Sequence, residues 1–156
     1  MSKTLSKLLA TIFFCASLFS FSGGAAMADT DAQKIDAVKQ MFDAWNKLDW
    51  ERAINMFAED GVLHSVMQDP INGRKAIAER LHILAKGTEK LQLQVKNMGI
   101  INGLVFVERV DDFVFNGNHG RVPVVGVLKV EGGKIKEWRE YYDRHQLESS
   151  LTGKKE

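Results

Sequence analysis

The sequence predicts an α+β domain, with helices packed on one face of a curved antiparallel sheet. Three observations carry that expectation. Apolar residues in the first half recur at helical spacing, while those in the second half alternate as in strands. The two patterns follow one another without intermixing, which separates this class from alternating strand–helix units.

The first 28 of the 156 residues are read as a leader, not as part of the fold. Met1 to Lys7 carries Lys3 and Lys7 and no acid, Leu8 to Phe21 is an apolar run, and Ala26-Met27-Ala28 precedes the first acid, Asp29. A basic start, a short apolar stretch and an Ala-x-Ala ending describe a secretory signal. A membrane span needs about 20 apolar residues, so the run is short for an anchor. Cleavage after Ala28 would leave residues 29–156 as one domain, exported to the periplasm or secreted. The only cysteine, Cys15, lies in the leader, so no disulfide is expected in the mature chain. Without Lys3 and Lys7 there are 19 basic residues against 20 acidic ones, with the signs interspersed. That balance argues against nucleic acid or an anionic membrane as partner.

Ile35, Val38, Phe42 and Trp45 form one face of a first helix, capped by Thr30 or Asp31. Asp49 caps a short second helix with Ile54 and Phe57 inward, ending at the turn Glu59-Asp60-Gly61. Val62 to Met67 is a short strand, and Asp69 to Gly73 a loop. A third helix follows over Lys75 to Lys86, with Ile77, Leu81 and Leu84 on one face and Gly87 as its stop.

Leu91, Leu93 and Val95 then alternate with Gln92, Gln94 and Lys96 as a half-buried strand, and Asn102-Gly103 marks a tight hairpin turn. Strands over Leu104 to Phe115, Val122 to Val130 and Ile135 to Asp143 are separated by turns at Asn116 to Gly120 and Glu131 to Gly133. The tail from Glu148 is polar and expected to be loose. Val122 to Leu128 is apolar on both faces, which suggests cover by a second copy of the chain and hence a homodimer.

Side chains two apart on a strand share a face. Arg109 and Asp111 therefore lie in a row with Val105, Val107, Phe113 and Phe115, and Glu140 lies between Trp138 and Tyr142. Carboxylates on an apolar face are costly unless paired, and one guanidinium can serve two of them. Parity alone leaves open a structural ion pair, or strand charges facing solvent. His64, His82, His119 and His145 show no metal-ligand spacing, and no phosphate-loop or dinucleotide fingerprint occurs, so neither metal nor cofactor is expected. Trp45, Trp50, Phe57, Phe113 and Phe115 read as core residues that can also line a pocket.

Glu108-Arg109-Val110-Asp111, Gly126-Val127-Leu128-Lys129-Val130-Glu131-Gly132-Gly133-Lys134-Ile135 and Trp138-Arg139-Glu140-Tyr141-Tyr142-Asp143 together resemble the limonene-1,2-epoxide hydrolase family. The resemblance extends through Ala44-Trp45-Asn46, Phe57-Ala58-Glu59-Asp60 and Asn72-Gly73-Arg74, so it covers nearly the whole chain after Ala28. The last two motifs are common across the wider nuclear-transport-factor-2-like or SnoaL-like fold, which includes ketosteroid isomerases and polyketide cyclases. The resemblance implies a conical, cystatin-like sheet with three N-terminal helices on its concave face, a deep pocket, and dimerisation through the outer sheet face. It implies that Arg109 and Asp111 face inward. It further implies Asp111 as general acid, Glu140 as general base and Arg109 as the bridge between them, adding water to a small apolar epoxide. Leu63, Ser65, Trp45, Phe113, Trp138 and Tyr142 would line the pocket.

Two features depart from the family pattern. The base is normally an aspartate, and the tyrosine and asparagine that hold the water are here Leu63 and Ser65, with His64 between them facing away. Two other readings stay open for that reason: a non-catalytic binding protein for an apolar small molecule, and isomerase or cyclase chemistry.

Overall fold

A computed structural model describes residues 28–153; the signal expected at the N-terminus lies outside them except for Ala28. The chain runs α1 (Asp31–Asn46), α2 (Trp50–Met56), β1 (Phe57–Ser65), β2 (Ile71–Asn72), α3 (Arg74–Ala85), β3 (Thr88–Ile101), β4 (Leu104–Phe115), β5 (Asn118–Glu131), β6 (Lys134–Tyr142) and α4 (Arg144–Thr152). One six-stranded sheet has the order β2-β1-β6-β5-β4-β3, and its curved face receives the helices, as the α+β reading expects.

Thr30 starts α1 through a reciprocal cap: its hydroxyl accepts from Gln33 N at 3.3 Å, and Gln33 Oε1 accepts from Thr30 N at 2.8 Å. Val38, Met41, Phe42 and Ala44 then bury one face of α1 against the sheet. Asp49 caps α2 by accepting from Arg52 N. The strands meet in a core centred on Trp138, whose ring lies 5.6 Å from Phe42, 5.2 Å from Trp45 and 6.3 Å from Phe57.

Several local expectations are corrected. Phe57 closes α2 and opens β1, and Glu59-Asp60-Gly61 is part of that strand, not a turn. The segment bulges there, because the pairing of β1 with β6 shifts between Phe57 and Val62. That pairing is parallel, so the sheet is not wholly antiparallel; every other pair is. The β4–β5 turn is only Asn116-Gly117, with φ of 48° and 77°, as a two-residue hairpin requires, so His119 and Gly120 belong to β5. Val95 is left 42% exposed beside a register shift on the edge strand β3, whereas Leu91 and Leu93 are buried.

The expected loose tail is instead the helix α4. The Asp143 carboxylate caps it by accepting from Gln146 N at 3.0 Å, and Gly153 ends it with φ 67°. Leu147 and Leu151, one turn apart, anchor it to the core. Among the described residues no helix is long and apolar enough to cross a membrane.

Candidate active site

The site is built where β4, β5, β6 and β1 lie side by side. Alternation along β4 turns Val105, Val107, Arg109 and Phe113 into the core, and Asp111 shares that row. On β6 the same alternation aligns Trp138, Glu140 and Tyr142. The parallel register places Ser65 of β1 beside Glu140, and Leu63 beside Trp138.

Arg109 joins the two carboxylates. Its Nε donates to Asp111 Oδ1 at 2.7 Å, and its Nη2 donates to Asp111 Oδ2 at 3.0 Å and to Glu140 Oε1 at 2.5 Å. The arginine is 2% exposed and lies over the rings of Phe42 and Trp138, 5.3 and 5.6 Å from their centroids. Burial opposes its charge, but Glu140 and Asp111 outweigh burial and hold its pKa above the ordinary arginine range. For Asp111 the balance goes the other way. Burial pushes its carboxyl up to about 6, although Arg109 pulls it down; the negative charge of Glu140 adds to the rise. At neutral pH the cluster is thus a cation held between two carboxyl groups, with Asp111 close to exchanging its proton.

Both carboxyl groups open on a cavity of about 200 Å³. A cavity of about 150 Å³ accommodates benzene, so this one suits a somewhat larger apolar molecule. Trp45, Leu63, Ser65, Phe113 and Tyr142 line it. Trp138 does not; it is fully buried beneath the guanidinium, which also lies behind the carboxylates, so a bound molecule meets Asp111 and Glu140 first. His64 points elsewhere, its Nε2 lying 3.0 Å from Gln68 O. Leu147 and Leu151 of α4 complete the wall, and Gln68, Asp69 and Arg80 stand among the lining residues as exposed groups. Sequence reasoning missed the two leucines, though the Asp143 cap and their spacing of four were there to be read. Among the described residues no group of three or more His, Cys, Asp or Glu is placed to hold a metal ion.

The sequence profile described as "Limonene-1,2-epoxide hydrolase catalytic domain" matches residues 32–152. The chain belongs to this family. Among its relatives, the limonene-1,2-epoxide hydrolase family member is similar to epoxide hydrolase EphG of Mycobacterium tuberculosis (strain ATCC 25618 / H37Rv), with 24% identity over 115 residues, covering 74% of this chain and 76% of the relative. A solved structure of an LEH-like epoxide hydrolase from M. tuberculosis superposes with a TM-score of 0.70 at 23% identity, covering 79% of this chain and 92% of that one. A SnoaL-like polyketide cyclase structure from Shewanella denitrificans OS-217 superposes with a TM-score of 0.69 at 14% identity, covering 77% and 97% of the two chains. At such identities the superpositions speak for a shared fold across enzymes of different names.

Proposed function

We propose that the protein is an epoxide hydrolase that adds water to a small apolar epoxide in one acid–base step. The observation that carries this reading is the Arg109 bridge, which holds two carboxyl groups on the wall of one apolar cavity. Asp111, its pKa raised to about 6, keeps part of its population protonated near neutrality and donates that proton to the epoxide oxygen. Glu140 takes a proton from water as the water oxygen attacks a ring carbon and the carbon–oxygen bond opens. The diol leaves, and the proton returns from Glu140 to Asp111. The Arg109 cation stays in place throughout and stabilises whichever carboxylate is charged.

The two departures from the family pattern are addressed by geometry that supports the same reading. Glu140 is one methylene longer than aspartate, yet its Oε1 still meets the guanidinium at 2.5 Å. Ser65 pairs with Glu140 across β1 and β6 and lines the same cavity, so its hydroxyl can share the water with the base. Glu140→Gln is the test: diol formation from an epoxide panel should fall by several orders of magnitude while uptake of apolar ligands persists. Unchanged turnover would remove the base assignment. The apolar Leu63 favours a second reading, a binding protein that holds an apolar molecule without converting it. Ligand uptake without any diol would select it.

The reading includes export, supported by the Lys3–Ala28 pattern, and a homodimer through the outer sheet face, supported by the exposed neighbours Val125 and Tyr141 on β5 and β6. A single-chain mass by sedimentation at micromolar concentration would remove the dimer.

A further inference from the structure

The acid–base bridge has to cross a strand. Arg109 and Asp111 stand on β4 and Glu140 on β6, with β5 between them. Side chains along the inward row of β5, such as Val124 and Leu128, are buried in the core. The member of that row paired with Glu140 is Gly126. A Cβ placed on Gly126 would lie 2.8 Å from Arg109 Nη1, 3.4 Å from Trp138 Nε1 and 3.5 Å from Leu128 Cδ1. Gly126 is not among the glycines with positive φ, so its backbone conformation is open to any residue. What calls for glycine is the guanidinium lying over it. Arg109 Nη1, the atom nearest that point, has no hydrogen-bond partner in the protein, so it is placed there by available space and not by an acceptor.

We propose that Gly126 is a positioning residue for the bridge: the missing side chain lets the Arg109 guanidinium lie across β5 and hold Asp111 and Glu140 together. What the bridge does rests on the hydrolase reading above, whereas its geometry does not. The three heavy atoms nearest an alanine Cβ at Gly126 all belong to side chains, and the nearest is the terminal nitrogen of Arg109. The guanidinium therefore gives way before the backbone does. Asp111 is two residues along the same strand and can follow it; Glu140 is across β5 and cannot. Reaching ordinary contact distance from 2.8 Å moves Nη1 by roughly 0.6 Å or more, and the 2.5 Å contact with Glu140 across β5 is the one that such a shift strains.

Other crowded glycines serve different neighbours. A Cβ at Gly120 would strike the Phe113 ring and Ser150, and one at Gly87 the Phe115 ring, whereas one at Gly99 meets nothing within 4 Å. Gly99→Ala is thus the inert control.

The full chain carrying Gly126→Ala is compared with wild type and Gly99→Ala by diol formation and by carbon-13 NMR titration of labelled aspartate side chains. Gly126→Ala should keep the wild-type circular dichroism, lose about 100-fold in kcat with little change in KM, and titrate Asp111 away from its wild-type value near 6, because the guanidinium that pulls its carboxyl down has moved. Gly99→Ala should match wild type in every respect. A folded Gly126→Ala protein with wild-type Asp111 titration overturns the proposal. Should Gly126→Ala alone fail to fold, the same change in an Arg109→Gln background decides: no added loss in urea midpoint supports the proposal, because the colliding nitrogen is gone, and a full additive loss overturns it. The titration and the urea midpoints need no substrate, so they test this inference even if no epoxide is hydrolysed.

Discussion

Burial holds the Asp111 carboxyl near 6 against an ordinary value of 3.8, and that displacement ties the chemistry of the site to the stability of the fold. The folded state binds the Asp111 proton more tightly than the unfolded chain does. Stability contributed through this group is therefore greatest below about pH 3.8, is lost as pH rises through about 6, and is level above that. A displacement of about two units corresponds to roughly 3 kcal/mol at about 1.36 kcal/mol per unit. Asp111→Asn removes the titration while keeping the shape of the side chain. The amide can accept from only one of the two Arg109 donors now 2.7 and 3.0 Å from the carboxylate, so it forfeits one charge-assisted bond. That loss is nearly independent of pH, and the titration is not. Urea unfolding of both proteins in steps from pH 4 to pH 8 reads the effect, since groups that do not interact with Asp111 cancel in the difference. The variant should gain on wild type by about 2 kcal/mol between the two ends of the series, with most of the change below pH 6.5. A difference between the two proteins that stays flat across the series would refute the claim that Asp111 carries a raised pKa.

In the wild type, kcat should fall as pH rises through about 6, since the acid must be protonated to act; a rate that climbs through this window would reverse the roles of Asp111 and Glu140. Arg109→Leu leaves two carboxyl groups without their cation in a buried site and should cost about 3–5 kcal/mol by urea unfolding at pH 8, with part of the loss recovered at pH 4, where they protonate. Leu147→Ala and Leu151→Ala enlarge the cavity wall away from the bridge, so KM for a small epoxide should rise several-fold with kcat nearly unchanged. Ser65→Ala should lower kcat about 10-fold or more if its hydroxyl shares the water with Glu140, a result read from initial rates at saturating substrate.

How much of this could be read in the sequence follows from how local each signal is. The row from Val105 to Phe115 and the pair Trp138 and Glu140 were legible, because strand parity is set by adjacent residues. Parity did not say which side of β4 faces inward; that depends on which face the helices cover, and only the family resemblance supplied it. Glu59-Asp60-Gly61 has the composition of a turn, but it bulges within a strand whose flanking residues Phe57 and Val62 pair with β6, about 75 residues later, and no local pattern encodes that pairing. In α4 only Leu147 and Leu151 are apolar, so average polarity suggested a loose tail even though the Asp143 cap and Gly153 stop marked a helix. The family resemblance implies Trp138 in the pocket wall, yet it lies beneath the guanidinium, a depth that residue order cannot show. Gly126 enters the sequence reading only as part of a family motif, because the side chain that crowds it, Arg109, belongs to another strand.

The measurement that tests the central claim most directly is a single turnover of an epoxide panel in oxygen-18 water, with wild type and Glu140→Gln compared. One-step hydrolysis with Glu140 as base gives a diol labelled at one hydroxyl in the first turnover, no label in the Glu140 carboxylate, and no diol from the variant. A folded protein that takes apolar molecules into the cavity yet forms no diol from any epoxide, or one whose first label enters Glu140, would contradict it.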